Sequence, residues 1–384
     1  MKAAGMTSPL RTQSASIYWY SKTMFGNRKE KVELLEAFVV SGKDKDATVK
    51  TPNYSQRIYI LCRDDDKIFN KTFCDDMKKK LGENATVHYI NDPIIHGLMK
   101  GVGMTSQLVE IEPGTTMHFW VPTESIHPNN KLSNKPPVLF VHGFVANGIM
   151  TWLFQILSLS SDFAVYVPDL LFFGDSITTR PERSTSIQAE CLAKGMMKLG
   201  VEKFSVVGLS YGGMVGFKLA QMYPHMVESM VMSSTIIEMT ESISNASLKN
   251  IGFTNWPDFL LPKTVSGVKV LLSIGSHKLP WLPEFFYKDF HEAMFSNRKE
   301  KVELLEALVV NDKDATINAP NYSQRIYILC GDDDKIFNTT FSDYMKEKLG
   351  KNTTIQYIKN AGHLVQLERP CTYNHYLKKF LLSS

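Results

Sequence analysis

One serine lies where its hydroxyl could act as a nucleophile. Ser210 belongs to the sequence GLSYGG at 208–213, which follows an apolar segment and precedes a helix-like pattern. A tight turn between a strand and a helix would project this hydroxyl from a sheet, provided that the neighbouring residues are small. Gly208 and Gly212 meet that requirement, since larger side chains would collide with the strand and the helix. The alternative is a glycine-rich turn that serves only helix–strand packing.

A serine hydroxyl is a weak nucleophile and needs a general base. Among the ten histidines, His363 stands out because it follows the last strand-like segment, within AGHLVQLERP at 361–370. His142 is the main alternative, although its position directly after VLFV indicates another role. His375 lies within a helix-like segment, where we expect a surface position. The sequence therefore predicts that His363 takes the proton of Ser210.

The acid that orients this base is expected after the preceding strand, and three aspartates follow it. Asp332, Asp333 and Asp334 come directly after RIYILCG, and the residues alone leave the choice among them open. Aspartate is also a common turn residue, so two of the three need no further role than the turn.

Nucleophilic attack on a carbonyl produces an oxyanion, which two backbone N–H groups can stabilise. We expect one donor from Tyr211, directly after the nucleophile, and the other from Phe144, in the loop after the apolar VLFV. Losing one such donor typically costs about 3 kcal/mol of transition-state stabilisation.

Short apolar segments alternate with helix-like patterns in the second part of the chain, after a hairpin-like alternation at 106–122. Strands are predicted at 138–141, 163–168, 204–207, 227–232, 325–330 and 353–358. Helices are predicted at 186–199, 213–222, 341–349 and 372–382. Such alternation predicts an α/β fold with a mostly parallel sheet flanked by helices, in which functional residues gather at the carboxyl ends of the strands.

The alternation is interrupted at about 235–318. This stretch is rich in large apolar residues, and several prolines divide it into short helix-like pieces. It predicts a helical lid inserted between two strands. The alternative is an ordinary helical layer of the domain.

An internal repeat determines the domain map. Residues 24–90 repeat residues 294–358 almost unchanged, apart from a small insertion. The first copy stops before the counterpart of His363, and Arg63 replaces Gly331. Residues 1–101 are therefore predicted to be an extension that contains a partial duplicate, and residues 102–384 to be a self-sufficient domain.

The duplicate also allows a competing arrangement. Residues 54–69 could take the place of 322–337 in the sheet, which would bring Asp66 near His363 instead of Asp334. We favour the local segment, because it closes a shorter loop.

The composition excludes several classes of function. The 384-residue chain is 43% hydrophobic and 21% charged, and its formal net charge is +4 with basic and acidic residues interspersed. This balance is ordinary for a globular protein and predicts no nucleic-acid partner. No apolar run approaches the roughly 20 residues of a membrane-spanning helix. No HExxH, paired CxxC or dinucleotide-binding loop is present, so we expect no metal and no cofactor.

Five cysteines without a CxxC pair favour a reducing compartment, and we expect a cytoplasmic protein. Residues 1–24 contain basic but no acidic residues and faintly resemble an organelle transit peptide. The alternative for that segment is an unstructured tail.

The chain resembles the α/β-hydrolase superfamily, in particular its lidded serine esterase and lipase-like members, including plant monoacylglycerol-lipase-like proteins. The matching motifs are VLFVHGF at 138–144, VPDLLFFGDS at 167–176, VVGLSYGGMVG at 206–216, ILCGDDDKIF at 328–337 and NAGHLVQLERP at 360–370. The resemblance implies that the acid is Asp334. It departs at Phe173, where relatives often have glycine. Similarity to epoxide hydrolases is less apt, because those enzymes attack with aspartate where this chain has Ser210.

The resemblance implies a serine hydrolase that cleaves a small apolar or aromatic carboxylic ester through an acyl-enzyme. A C–C bond hydrolase of the same fold and a ligand sensor on a hydrolase scaffold remain alternatives.

Overall fold

We describe the protein from a computed structural model. The structure describes residues 58–62, 85–89, 93–126, 134–313, 315 and 322–383. The chain divides into two compact units, Met1–Ile95 and His96–Ser384. Within the described ranges, no helix is long and apolar enough to cross a membrane.

In the first unit, β1 (Ile58–Cys62) and β2 (Ala85–Tyr89) form a parallel pair. Ile58 lies opposite Ala85, and at the corresponding positions of the second copy Ile326 lies opposite Thr353. The repeated sequence therefore repeats the strand register. The remainder of the predicted duplicate 24–90, including Asp66, and the segment 1–24 lie outside the described residues.

Within the described part of the second unit, nine strands form one mixed sheet. The six parallel strands are β5 (Pro137–Val141), β6 (Ala164–Pro168), β8 (Phe204–Leu209), β9 (Val227–Ser233), β12 (Arg325–Gly331) and β13 (Thr353–Ile358). The antiparallel strands are β3 (Met104–Glu112), β4 (Thr115–Pro122) and β7 (Ile177–Thr178). Across the sheet the strands lie in the order β13-β12-β9-β8-β5-β6-β4-β3, and β7 pairs with β4. The strand of the local copy, β12, therefore lies between β9 and β13.

The central parallel strands β5, β6 and β8 are almost wholly buried because helices cover both faces of such sheets. All five residues of β6 are buried, for example. The helices outside the insertion are α1 (Pro93–Gly101), α2 (Gly148–Leu159), α3 (Thr185–Lys198), α4 (Tyr211–Met222), α10 (Thr339–Leu349), α11 (Val365–Glu368) and α12 (Pro370–Leu382). This architecture confirms the predicted fold class.

Helix α2 was not predicted from the sequence. Asn147 caps its N-terminus by accepting a hydrogen bond from the Met150 N–H at 3.0 Å. The buried residues, including Trp152 and Ile156, lie on one face of the helix, but apolar residues such as Leu153 and Phe154 lie on the other face as well, so the apolar pattern lacks a clean helical period.

The described residues between β9 and β12 form short helices and one small parallel strand pair, β10 (Met239–Thr240) with β11 (Val309–Val310). The helices are α5 (Glu241–Ile251), α6 (Trp256–Leu260), α7 (Val265–Gly275), α8 (Glu284–Met294) and α9 (Arg298–Glu306). We call this part of the chain the insertion. Pro257 lies in the first turn of α6 and Pro283 directly precedes α8, where proline interrupts no helical hydrogen bond.

Candidate active site

Ser210 lies on the sharp turn between β8 and α4. Its backbone has φ +52° and ψ −119°, which is a strained conformation for a residue with a side chain. The turn is fixed by hydrogen bonds to the end of β9 and to the residues that follow it. The Ser210 N–H donates to the Ser233 carbonyl at 2.9 Å, and the Thr235 hydroxyl donates to the Ser210 carbonyl at 2.6 Å. The predicted strand–turn–helix context of Ser210 is therefore present.

The two glycines that flank the serine permit this turn. A Cβ at Gly208 would lie 2.7 Å from the Gly212 carbonyl oxygen, and a Cβ at Gly212 would lie 2.3 Å from the Val141 carbonyl oxygen. Both contacts are with backbone atoms, which cannot move aside as a flexible side chain can. The start of α4 therefore packs directly on the end of β5.

The loop after β5 lies beside Ser210, as the expected oxyanion site requires. A Cβ at Gly143 would be 3.5 Å from the Ser210 Cβ. The rings of Phe144 and Tyr211 pack edge to face with centroids 5.6 Å apart. The structure thus brings together the two residues that were predicted to supply the backbone donors.

Asp334 and His363 form a buried pair at the ends of neighbouring strands. His363 Nδ1 lies 2.9 Å from Asp334 Oδ2, and both side chains are less than one tenth exposed. Asp334 Oδ1 accepts hydrogen bonds from the Ile336 and Phe337 N–H groups at 2.9 and 3.0 Å. An ionised carboxylate can only accept, so His363 Nδ1 carries the proton, and the Nε2 lone pair is available as a base.

The other two aspartates of the run have different partners. The Asp332 N–H donates to the Ile358 carbonyl, and Asp332 Oδ1 accepts from the Ala361 N–H at 3.4 Å, so Asp332 closes the turn as expected. Asp333 was also expected to serve the turn, but its carboxylate in addition contacts His277 Nδ1 at 3.0 Å.

Gly331 is a position where the two copies of the repeat differ and where this site requires a glycine. A Cβ at Gly331 would lie 2.2 Å from the Ala361 carbonyl oxygen, in the loop that leads to His363. A side chain such as that of Arg63, at the corresponding position of the first copy, would displace this loop.

The nucleophile candidate and the acid–base pair lie at the same edge of the sheet. Ser210 follows β8, while Asp334 and His363 follow β12 and β13, and all three strands run parallel. Within the described residues, the Ser210 hydroxyl has no hydrogen bond to the imidazole. Catalytic hydrogen bonds are often long until a substrate is bound.

The rival histidines have other environments. His142 is fully buried, its Nε2 accepts from the Leu170 N–H at 2.9 Å, and its Nδ1 lies 2.7 Å from the Gly143 carbonyl oxygen. Burial lowers the pKa of His142, so the ring is a neutral structural group that supports the loop before Phe144. His375 is exposed on α12, as expected.

A second hydrogen-bonded serine–histidine–aspartate triad was not predicted from the sequence. His118 Nε2 lies 2.8 Å from the Ser106 hydroxyl, and His118 Nδ1 lies 2.9 Å from Asp169 Oδ2. The other oxygen of Asp169 accepts from the Gly148 N–H at 2.8 Å. These bonds tie the β3–β4 hairpin to the start of α2. Ser106 lies within a regular strand, not on a strained turn, which indicates a structural network.

The surroundings of the expected oxyanion site are apolar. Val145, next to Phe144, packs against a cluster of insertion residues, namely Val268, Tyr287 and Phe290. Phe173, the residue that departs from the family pattern, is buried and packs edge to face on Phe144 at 5.3 Å.

A buried cation contacts Phe173. Lys301 of α9 is 3% exposed, and its Nζ lies 4.7 Å from the centre of the Phe173 ring. The same ammonium donates to the Met294 carbonyl at 2.9 Å. Burial lowers the pKa of Lys301 to about 8.

Across the ranges that the structure describes, no group of three or more His, Cys, Asp or Glu residues is arranged to hold a metal ion.

A family model described as the alpha/beta hydrolase fold matches residues 136–265, which include Ser210 and the loop of Phe144. The structure of a putative lipase (lip1) from Acinetobacter baumannii superposes with a TM-score of 0.65 at 20% identity, covering 77% of this chain and 97% of that one. This chain has the α/β-hydrolase fold. At this identity, the structural likeness shows the fold alone.

Curated relatives of this α/β-hydrolase-fold protein include named hydrolases. A putative carbamate hydrolase of Cronobacter sakazakii is 26% identical over 60% of this chain and 85% of that protein. An uncharacterized carboxylesterase of Bacillus subtilis is 22% identical over 64% of this chain and 79% of its own length. An uncharacterized protein of Mycobacterium tuberculosis is 30% identical, but the match spans only 26% of this chain and 29% of that protein.

Proposed function

We propose that this protein is a serine hydrolase that cleaves a carboxylic ester through an acyl-enzyme, with Ser210 as nucleophile, His363 as base and Asp334 as the orienting acid. The observation that carries the proposal is the combination of a strained serine turn with a buried, hydrogen-bonded Asp–His pair at the same sheet edge. Strained backbone tends to cluster at functional sites.

In the proposed cycle, His363 Nε2 removes the hydroxyl proton as Ser210 Oγ attacks the ester carbonyl carbon. The N–H groups of Phe144 and Tyr211 stabilise the oxyanion. The C–O bond to the alcohol then breaks, His363 returns the proton to the departing alkoxide, and the acyl group stays on Ser210. Water, deprotonated by the same imidazole, then attacks the acyl carbon. The bond from that carbon to Ser210 Oγ breaks, the acid leaves, and His363 returns the proton to the serine oxygen.

Asp334 has two tasks in this cycle. Its hydrogen bond to Nδ1 fixes the tautomer in which Nε2 can accept a proton, and its charge stabilises the imidazolium that forms. The bonds from the Ile336 and Phe337 N–H groups hold the carboxylate in place.

An ester with an apolar acyl or aromatic group suits the surroundings best. The packing of Val145 on the insertion cluster and of Phe173 on Phe144 supports an apolar environment next to the expected oxyanion site. We therefore infer that the insertion acts as a lid over a small apolar substrate, in keeping with the resemblance to lipase-like and plant monoacylglycerol-lipase-like proteins.

A panel of 4-nitrophenyl esters from acetate to decanoate tests this function, with Ser210→Ala as the matched inactive variant. We expect turnover that varies with chain length and falls to background in Ser210→Ala. Equal turnover in Ser210→Ala, or no ester turnover by the folded protein, would contradict the proposal. Cleavage of a vinylogous 1,5-diketone without ester cleavage would select the C–C hydrolase instead. Tight ligand binding without turnover would select a sensor.

A further inference from the structure

Glu368 joins the loop of His363 to the insertion. One carboxylate oxygen, Oε2, accepts from the Gly362 N–H at 2.6 Å, directly before His363. The other oxygen, Oε1, accepts from the His277 and Lys278 N–H groups at 2.9 and 3.2 Å. A single side chain at the end of α11 thus binds two backbone segments that are far apart in the sequence.

The same two segments also touch directly on the other side of His363. The Leu364 N–H donates to the Gly275 carbonyl at 3.0 Å. A Cβ at Gly362 would lie 2.6 Å from the His277 nitrogen, so only glycine allows this approach. Residues 275–278 at the end of α7 therefore contact the backbone both before and after His363. We call residues 275–278 the brace.

The brace reaches the loop of the acid as well. His277 Nδ1 lies 3.0 Å from Asp333 Oδ2, and Asp333 directly precedes Asp334. The brace therefore contacts the residue before the candidate acid and the residues on both sides of the candidate base. Both members of the Asp334–His363 pair are supported from one short piece of the insertion.

Glu368 needs both oxygens of its carboxylate to accept these hydrogen bonds. Hydrogen bonds between backbone N–H groups and a carboxylate are roughly twice as strong as neutral ones. A glutamine at this position would keep one accepting oxygen but turn an NH₂ group toward an N–H group. Either Gly362 or the brace would then lose its partner.

We propose that Glu368 is a positioning residue that holds His363 in its catalytic position by binding the insertion to the histidine loop. This inference rests on the proposed function. It gives the insertion a role in the chemical step, in addition to covering the substrate. Loss of this connection would let the imidazole shift relative to Ser210 and Asp334, and a displacement of about 1 Å can cost about 100-fold in rate.

Steady-state kinetics of Glu368→Gln on the best ester of the panel tests the proposal. We expect kcat to fall by about 10- to 100-fold with KM changed less than about threefold, because substrate contacts stay in place while the base is misplaced. The rate of single-turnover inactivation by a fluorophosphonate should fall in parallel. Glu202→Gln, an exposed substitution of the same kind, should match wild type.

A merely structural role would lower the melting temperature of Glu368→Gln and leave kcat of the folded fraction unchanged, and that result would overturn the proposal. If Glu368→Gln does not fold, Glu368→Asp replaces it, because the shorter carboxylate cannot span both segments. We expect kcat of Glu368→Asp to fall as well, but by less than in Glu368→Gln. An unchanged kcat would again overturn the proposal.

A double-mutant cycle with His277→Ala probes the brace itself. We expect the effects of Glu368→Gln and His277→Ala on kcat to be non-additive, since both residues act through the same segment. Strict additivity would mean that the two contacts act independently and would overturn the proposed role of the brace.

If wild type cleaves no ester, the proposed function fails. If wild type is active and all these variants match it, only this inference fails.

Discussion

His363 Nδ1 lies 2.9 Å from Asp334 Oδ2, and the aspartate side chain is completely shielded from solvent. The contact joins the ends of two neighbouring parallel strands, β12 and β13, which the sheet holds in fixed register. The two residues therefore follow strands that are hydrogen-bonded to each other along their length.

Asp334→Asn should lower kcat by about 10³- to 10⁴-fold without unfolding the protein. The asparagine oxygen can still accept from the Ile336 and Phe337 N–H groups, but its NH₂ group would face Nδ1 and favour the wrong tautomer. Ester hydrolysis and circular dichroism provide the measurement. The neighbouring substitution Asp332→Asn, at an exposed turn residue, should retain at least about half of the activity, and an equal loss there would contradict the assignment of the acid.

Gly212→Ala should abolish activity through the fold of the serine turn. The added methyl group would meet the Val141 and His142 carbonyl oxygens at 2.3 and 2.4 Å, and relieving such overlap typically costs about 1–3 kcal/mol. Chemical denaturation and the ester assay measure both effects. Gly252→Ala is not a suitable control because Gly252 has φ +75°, whereas Gly97→Ala adds a methyl group that contacts nothing within 4 Å. Wild-type stability in Gly212→Ala would contradict this packing.

Ser106→Ala should leave ester hydrolysis within about twofold of wild type. It should lower the free energy of unfolding by about 1 kcal/mol, because the His118 ring loses one hydrogen-bond partner. Denaturant unfolding combined with the ester assay distinguishes the structural network from a catalytic one. A large loss of activity in folded Ser106→Ala would identify the triad of Ser106, His118 and Asp169 as the catalytic site.

Lys301→Met should stabilise the protein at neutral pH and change the pH dependence of its stability. Burial lowers the folded-state pKa of Lys301 from 10.5 to about 8. Between these pH values the unfolded chain binds more protons than the folded one, so the free energy of unfolding of wild type rises with pH. Below about pH 8 the buried Lys301 is charged, and its full cost to stability is present. The penalty is about 3 kcal/mol before the contacts of Lys301 with Met294 and Phe173 are subtracted.

Urea denaturation of wild type and Lys301→Met between pH 6 and pH 10 measures this difference. The rise in stability above about pH 8 should be weaker in the variant, as the linkage relation requires. Lys299→Met, at an exposed position of the same helix, should retain the wild-type curve. Identical curves for wild type and Lys301→Met would show that burial does not depress this pKa.

The sequence was sufficient to predict the parallel strands and the flanking helices that carry Ser210 and His363, because each has a short, local apolar pattern. Helix α2 escaped because its apolar residues do not keep to one face. The Asp334 assignment needed a family resemblance, since all three aspartates occupy a turn and differ only in what they touch.

Contacts between distant segments could not be predicted. The partners of Glu368, His277 and Lys278, lie about 90 positions earlier in the chain, and no local pattern signals them. The His118–Asp169 pair joins a hairpin to the end of another strand, again without a motif. Such contacts depend on how the insertion and the hairpin pack, which residue periodicity does not encode.

Labelling with a fluorophosphonate probe, followed by peptide mapping, tests the central claim most directly, because only an activated serine reacts rapidly. The account predicts a single modified residue, Ser210, with labelling abolished in Ser210→Ala, strongly slowed in His363→Ala and unchanged in Ser106→Ala. Labelling at another serine, or undiminished labelling of Ser210→Ala, would contradict the account.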